Sequence, residues 1–321
     1  MRYAMTGASG FLGTELARQL RDAGHDVVAL ARKPSAAEQL DRLGVELVQG
    51  DLDDTDALDR ILTRANGLFH VAGWYKHGRR EHRTLRHVNI DGTRNVLEAA
   101  ARSGVPRVVY TSTLAVNSDT GGRVVAESYR FTGRHLSEYD RTKAVAHKIA
   151  LDRTARGLPL VIVQPGVIYG PDDVGSTLGQ LTRRIVRGRR VLGPSGGGAT
   201  FAHVTDVARG HVLAMERGRV GESYILAGPA HTYADVLALV ARLSGGPPPT
   251  LVPPRLARLA ARLTAPLERV LPIPQFMTAE AALSGTGTYY GDSAKALQHL
   301  GWRPRPLEEG MAETVASIPR P

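Results

Sequence analysis

In the stretch SEYDRTK (137–143) a tyrosine and a lysine stand four residues apart, at Tyr139 and Lys143, in a chain where only five of 41 basic residues are lysines. On a helix that spacing puts both side chains on one face, about one turn apart. A phenol of ordinary pKa near 10 is a poor acid or base at neutral pH, but a neighbouring ammonium together with a second positive charge would favour the phenolate. Lowering its pKa by about three units takes roughly 4 kcal/mol of differential stabilisation. The pair is therefore expected to do proton-transfer chemistry, with a phenol made acidic by its surroundings.

A second chemical signal lies near the start of the chain. TGASGFLG (6–13) follows a strand-like run and opens a helical one, with glycines at Gly7, Gly10 and Gly13. Gly7 permits a tight turn, Gly10 lets backbone approach a pyrophosphate, Gly13 lets helix and strand pack closely, and the helix N-terminus attracts negative charge. Ser9, Phe11 and Leu12 are expected in the same cradle. The second strand ends ALARKP, where an acidic residue would hold the ribose hydroxyls of NAD. Arg32, with Lys33 beside it, instead suits a 2′-phosphate, so NADP(H) is the expected cofactor and NAD the alternative. Asp51 and Leu52, after the third strand, are placed at the adenine edge, while Asp53, Asp54 and Asp56 read as charges at the next helix start. Val71, Ala72, Pro165 and Val167 complete the expected cofactor wall.

These residues need a scaffold, and the chain supplies one pattern for it. Short β-branched runs (YAMTG, DVVALAR, VELVQGD, GLFHVAG, RVVYTST, LPLVIVQP) alternate with helical segments at 14–23, 56–63, 85–101 and 139–154. Such alternation predicts an α/β fold, a doubly wound parallel sheet of the Rossmann type. Gly24, Gly104 and Gly157 read as helix C-terminal caps. The predicted division is a cofactor domain over 1–170 with 201–226 interleaved, and a smaller substrate-binding region over 171–321. Within the latter, 193–201 (GPSGGGATF) reads as a flexible loop and 201–216 as a strand-turn-helix unit. Between Pro254 and Leu271, Leu256, Leu259, Leu263, Leu267 and Val270 recur three or four apart, opposite Arg255, Arg258, Arg262 and Arg269. A membrane-surface helix would show this pattern, but the reading preferred is a surface helix with its leucines in the core.

Composition narrows the field further. With 321 residues, 42% hydrophobic and 22% charged, the chain can bury a large core. It has no cysteine, which excludes disulfides and thiol chemistry. No secretory leader precedes the first strand, and the longest apolar stretch (158–170) is too short and too interrupted to span a bilayer, so a cytoplasmic protein without an integral membrane segment is expected. The net charge of +10 is assigned mainly to solvated arginines. The cluster LTRRIVRGRR (181–190) lacks the aromatic interleaving of RNA-binding surfaces, and nucleic acid is not the expected partner. His77, His82 and His87 recur every five residues and do not share a helical face, so no metal site is expected there and the segment reads as a substrate-side loop.

TGASGFLG, GDLDD, NIDGTRN (89–95), VVYTSTLAV (108–116), YDRTK and FAHVTDVA stand in the order and spacing of the extended short-chain dehydrogenase/reductases, the NAD(P)-dependent epimerases, dehydratases and reductases, which the chain resembles over nearly its whole length. YGDSAKALQHLGWRPRPLEEG (290–310) is similar to that family's C-terminal segment. The resemblance implies a catalytic trio of Thr113, Tyr139 and Lys143: Tyr139 as general acid-base, Lys143 as its pKa modifier and ribose ligand, and Thr113 on the reacting oxygen, with Ser112 a weaker candidate. Asn89 matches a family asparagine that orders the helix or a water. Thr113 is followed by Leu114 and Ala115, so the carboxylates of sugar dehydratases are absent. Ala199 stands where nucleotide-sugar epimerases carry an arginine, for which Arg183, Arg187 or Arg190 could substitute. FHVAG, TSTLAVN and ALAR resemble the dihydroflavonol-reductase-like branch, which includes hopanoid-associated sugar epimerases. The expected activity is reduction of a carbonyl on a small cyclic or aromatic molecule, or the reverse oxidation, with substrate met by Trp74, Tyr75, Ser112, Asn117 and Tyr169. The alternatives are a sugar epimerase that retains its cofactor and, in another class, a non-catalytic NADP sensor or RNA-binding protein. The resemblance also allows a homodimer.

Overall fold

The computed structural model describes residues 1–32, 37–269, 271 and 273–320. Its first two-thirds realise the alternation in the sequence. Strands β1 (Arg2–Thr6), β2 (Asp26–Ala31), β3 (Glu46–Gln49), β4 (Gly67–His70), β5 (Val108–Thr111) and β6 (Leu160–Pro165) are connected by helices α1 (Phe11–Asp22), α2 (Ala37–Arg42), α3 (Thr55–Leu62), α4 (His82–Arg86), α5 (Thr93–Ser103) and α6 (Glu138–Ala155). The later part adds β7 (Val167–Tyr169), α7 (Thr177–Val186), β8 (Leu192–Pro194), β9 (Gly198–His203), α8 (Val204–Arg217), β10 (Ser223–Leu226), β11 (Ala230–Thr232) and α9 (Tyr233–Ser244). After these come β12 (Thr250–Val252), α10 (Pro254–Thr264), α11 (Ala279–Ser284), β13 (Thr288–Tyr289), α12 (Ala294–Leu300) and α13 (Leu307–Ala316).

The main sheet has seven strands in the order β3-β2-β1-β4-β5-β6-β10, every neighbouring pair parallel. Such strands are buried on both faces, which is why they read as unbroken apolar runs rather than alternating ones. One face is covered by α1, α8 and Trp302 and the other by α3, α5 and α6. The strand order reverses between β1 and β4, and a parallel sheet opens a crevice beyond its strand ends at that point. There the loops after β1, β4 and β5 converge.

Three local expectations change. The 193–201 segment is not a loop: β8 pairs with β12, and β9 lies between β11 and β13 in a second sheet. Its glycines reflect crowding, since a Cβ on Gly198 would stand 2.4 Å from the His231 carbonyl oxygen. The stretch from Leu85 to Ala101 is not one α-helix, because His87–Gly92 is wound as a π-helix between α4 and α5. The third concerns α10, whose small residues Ala257 and Ala261 are buried while Leu256, Leu259 and Leu263 are 56%, 52% and 65% exposed. Alanines allow the helix to approach its neighbours closely, and the leucines are left facing outward. Leu267 and Leu271 continue the exposed row; Val270 lies outside the described residues. Among the described residues no helix is long and apolar enough to cross a membrane.

Candidate functional site

The glycine-rich turn is built by close approach. Gly7 has φ +76°, and a Cβ there would meet the Ala72 backbone nitrogen at 2.5 Å; a Cβ on Gly13 would meet the Gly7 carbonyl oxygen at 2.0 Å. Only glycine lets this turn lie against the end of β4 and beneath the first turn of α1. Helix α1 begins at Gly10 with no side chain capping it. Its first N–H groups therefore remain available to an anion at the positive end of the helix dipole. This is the cradle a dinucleotide pyrophosphate requires, and the residues fit that group.

One cavity of about 1110 Å³ runs from this turn across the sheet ends. Its walls include Gly7, Ser9, Gly10, Phe11, Leu12, Gly13, Arg32, Asp51, Leu52, Val71, Ala72, Pro165 and Val167, the whole expected cofactor set, and also Trp74, Tyr75, Ser112, Thr113, Tyr139 and Lys143. Lys33 lies outside the described residues. Asn117 and Tyr169 are not in this wall. Asn117 is buried at the end of the short 3-10 turn after Thr113. Tyr169 stacks edge-on against His203 in the second core. Both are close in sequence to the sheet ends, but β7 and the 3-10 turn carry them past the opening.

The candidate residues Tyr139, Lys143 and Thr113 are held by α6 and the end of β5. Ser137 caps α6 through the Asp140 N–H, and Tyr139 follows on the first turn. The Thr113 hydroxyl stands beside the Tyr139 phenol and favours its ionised form, and it accepts the Ala115 N–H at 3.1 Å. Lys143 donates to the Thr111 carbonyl at 2.9 Å and to the Tyr110 hydroxyl at 3.2 Å, with its nitrogen 5.0 Å from the Tyr110 ring centre. The acidic phenol anticipated from the sequence depends on an oxidised nicotinamide as well as on the lysine, and in the protein alone burial is the larger effect. Burial pushes Tyr139 up to about 12, with the Thr113 hydroxyl opposing it. Burial also pushes Lys143 down to about 7. Among the described residues the lysine touches a hydroxyl, a carbonyl and a ring but no carboxylate, so no opposite charge offsets the loss of hydration of its own. Taken together, the values describe a phenol that keeps its proton and an amine that readily changes its own.

The NIDGTRN motif acts in three places. Asn89, 1% exposed, accepts the Trp74 N–H at 2.7 Å and donates to the Trp74 carbonyl at 2.9 Å and the Thr142 hydroxyl at 3.1 Å, tying the cavity wall to α6. Gly92 makes room for Leu52, whose Cδ1 would lie 2.6 Å from a Cβ there. Asn95 donates to the Leu52 carbonyl and the Asp53 carboxylate, both at 3.0 Å. Asp54 caps α3 as expected, accepting the Ala57 N–H.

The three histidines do separate work. His87 faces Asp53 and His82 faces Glu280, each at 2.9 Å. His77 sits edge-on to the Tyr139 ring, centroids 6.1 Å apart, on the cavity wall. Sequence reasoning did not single out His77 as a wall residue, nor the far wall: Asp173, Leu178, Tyr233 and Phe276 face the cavity from the later half of the chain. It also missed Asp140, a buried carboxylate accepting from Ser118, Ser137 and Tyr289. Burial raises Asp140 to about 7 against those bonds. These groups meet across more than a hundred residues, and no local spacing announces them. Arg184 and Arg190 also reach the wall, Arg184 with its guanidinium 5.3 Å from the Phe276 ring centre.

Residues 3–227 match the family model described as the NAD dependent epimerase/dehydratase family. Sterol demethylase protein B of Methylococcus capsulatus is 35% identical over 98% of this chain and 98% of that protein. A 4-hydroxy-2-methyl-3-oxo-4-farnesyl-3,4-dihydroquinoline-1-oxide ketoreductase of Stigmatella aurantiaca is 34% identical, covering 86% of this chain and 83% of its own. Among solved structures, MoeE5 in complex with UDP-glucose and NAD superposes with a TM-score of 0.77 at 25% identity, covering 99% of this chain and 98% of that one.

Proposed function

The chain belongs to the NAD dependent epimerase/dehydratase family, and from that membership we propose that it is an NADP(H)-dependent reductase of a carbonyl on an apolar cyclic molecule. One observation carries the reading. Tyr139, beside Thr113 and pushed up by burial to a pKa of about 12, borders the same cavity as the glycine turn. The reduced cofactor, when bound, supplies the hydride. Tyr139 gives its proton to the carbonyl oxygen as charge develops there, and Thr113 orients that oxygen. Lys143, one turn along α6, is the group whose charge offsets the phenolate left behind. A phenol that starts protonated suits this direction. Arg32 on the cavity wall supports a 2′-phosphate, and no carboxylate follows Thr113, which argues against elimination. The ketoreductase among the relatives acts, by its name, on a ring bearing a farnesyl chain; the wall formed by Trp74, Leu178, Leu181 and Phe276 suits a substrate of comparable character.

The second reading is an epimerase acting on a nucleotide sugar, favoured by Arg184 and Arg190 at the cavity and by the likeness to MoeE5 with its UDP-glucose. Incubation with NADPH and a panel of hydrophobic cyclic ketones separates the two. Stoichiometric loss of NADPH absorbance with ketone supports the reductase. Turnover of a UDP-sugar to its epimer with no net change in cofactor overturns it.

A further inference from the structure

Helix α10 has three faces. Ala257 and Ala261 are buried, and with Ala260 and Thr264 they line the cavity from outside the sheet. Leu256, Leu259 and Leu263 stand more than half exposed along a second face. Arg255, Arg258 and Arg262 occupy the third, and the helix contains no acidic residue. Near it in sequence, Leu251 before the helix and Leu267, Leu271 and Met277 after it are also exposed, at 47%, 50%, 52% and 56%. Solvated leucines scattered singly need no explanation, but a contiguous row beside the mouth of an apolar cavity marks an interaction surface.

We propose that the leucine face of α10 docks on an anionic phospholipid bilayer, with the three arginines reaching the headgroups and the cavity opening toward the lipid. Charge complementarity selects this occupant. Leucines on one face and arginines along its flank are the arrangement of a helix lying in the headgroup region, where long basic side chains extend to the phosphates. A second copy of the chain on the same face would bring the basic rows of two α10 helices together, with no carboxylate on either helix to answer them. The inference goes beyond the reductase reading and does not need it, because vesicle binding is measured without turnover. If both hold, a water-insoluble carbonyl compound can pass from lipid to the cavity alongside α10.

The test is sedimentation of the purified protein with vesicles of phosphatidylglycerol and phosphatidylcholine in equal parts, and with vesicles of phosphatidylcholine alone. Binding to the mixed vesicles and much weaker binding to the neutral ones is expected. The Leu256→Ser/Leu259→Ser/Leu263→Ser protein keeps its charge and should lose at least about tenfold in partition. The Arg255→Gln/Arg258→Gln/Arg262→Gln protein should lose the preference for anionic lipid. Leu297→Ser, on the exposed surface of α12, should bind like the parent. Thermal unfolding of the serine variant without vesicles, followed by circular dichroism, should match the parent's, which shows that it is folded. Parent-like vesicle binding by that variant overturns the proposal, because generic basic charge would then suffice. So does failure of the parent to bind either vesicle, including the case where light scattering shows it paired through this face.

Discussion

Asn89→Ala removes the link between the wall residue Trp74 and the helix that carries Tyr139 and Lys143. The substitution deletes three hydrogen bonds: from the Trp74 N–H, to the Trp74 carbonyl and to the Thr142 hydroxyl. Thr142 keeps its bond to the Tyr139 carbonyl at 3.0 Å, so two groups are left without partners. An unpaired buried backbone group costs about 1–3 kcal/mol, and Trp74 is only half-buried, so about 2–4 kcal/mol in total is the expected loss. At about 2.1 cal/mol/K per residue a chain of this length unfolds with an entropy near 0.7 kcal/mol/K, and the melting temperature should fall by about 3–6 °C. The Trp74 wall then loses its fixed position against the reacting groups. Misplacement on the order of 1 Å costs up to about a hundredfold, so kcat/KM for the carbonyl substrate should drop by about ten- to a hundredfold. Thermal melts and steady-state kinetics of Asn89→Ala and Asn89→Asp together make the assay. The aspartate preserves shape but turns a carboxylate oxygen toward the Trp74 carbonyl, so it too should be impaired. An alanine variant that melts within about a degree of the parent with unchanged kcat/KM refutes the reasoning, and a fully active aspartate variant would show that shape and not hydrogen bonding matters.

Tyr139→Phe should retain cofactor affinity, read by fluorescence titration with NADPH, while kcat falls by about a hundred- to ten-thousandfold, the usual worth of a positioned proton donor; parent-like kcat would remove Tyr139 from the mechanism. Arg32→Glu should raise KM for NADPH by about ten- to a hundredfold and lower that for NADH, since a charge-assisted bond to a phosphate is worth about 1.5–3 kcal/mol; an unchanged ratio of the two cofactors would mean that Arg32 does not read the 2′-position. Asp140, held near 7 when folded against an ordinary value near 3.9, favours the folded state fully below about pH 4, and that contribution disappears as pH rises through about 7. The change amounts to about 4 kcal/mol. Urea unfolding at pH 5 and pH 8 should accordingly show a larger loss of stability in the parent than in Asp140→Asn, and equal losses would contradict the assignment.

What the sequence disclosed was governed by local geometry. The glycines at 7, 10 and 13 declare themselves because strand, turn and helix are contiguous, and the Tyr139–Lys143 pair because a helix repeats every 3.6 residues. The alternation of β-branched runs with helical segments likewise gave the parallel sheet. Electrostatics was not legible in the same way. Spacing puts an amine near a phenol, but only the packed structure shows that both are dehydrated and that Lys143 lacks an anionic partner. The leucines of 254–271 show a related limit. Their periodicity marks an apolar face without saying whether that face looks inward, and Ala257 and Ala261, the residues that do face inward, carry no signal in a hydrophobic count. In GPSGGGATF the glycines look like slack chain, whereas Gly198 is small because the β11 backbone and the Tyr290 hydroxyl crowd it. The far cavity wall, from Asp173 to Phe276, comes from segments that tertiary packing alone brings to the same cavity as Tyr139 and Trp74.

Glu280, on the short α11, accepts from the Gly78 N–H at 2.8 Å and the Glu138 N–H at 3.0 Å, and faces His82 at 2.9 Å. Glu138 is the residue immediately before Tyr139, and Gly78 immediately follows His77. The buried Glu268 carboxylate adds a bond from the Arg79 N–H. A single carboxylate thus fastens the C-terminal roof to both the segment carrying His77 and the start of the helix carrying Tyr139. Tugging on α11 cannot be a private event at the periphery: the strain is delivered, through one side chain, to the residue next to Tyr139.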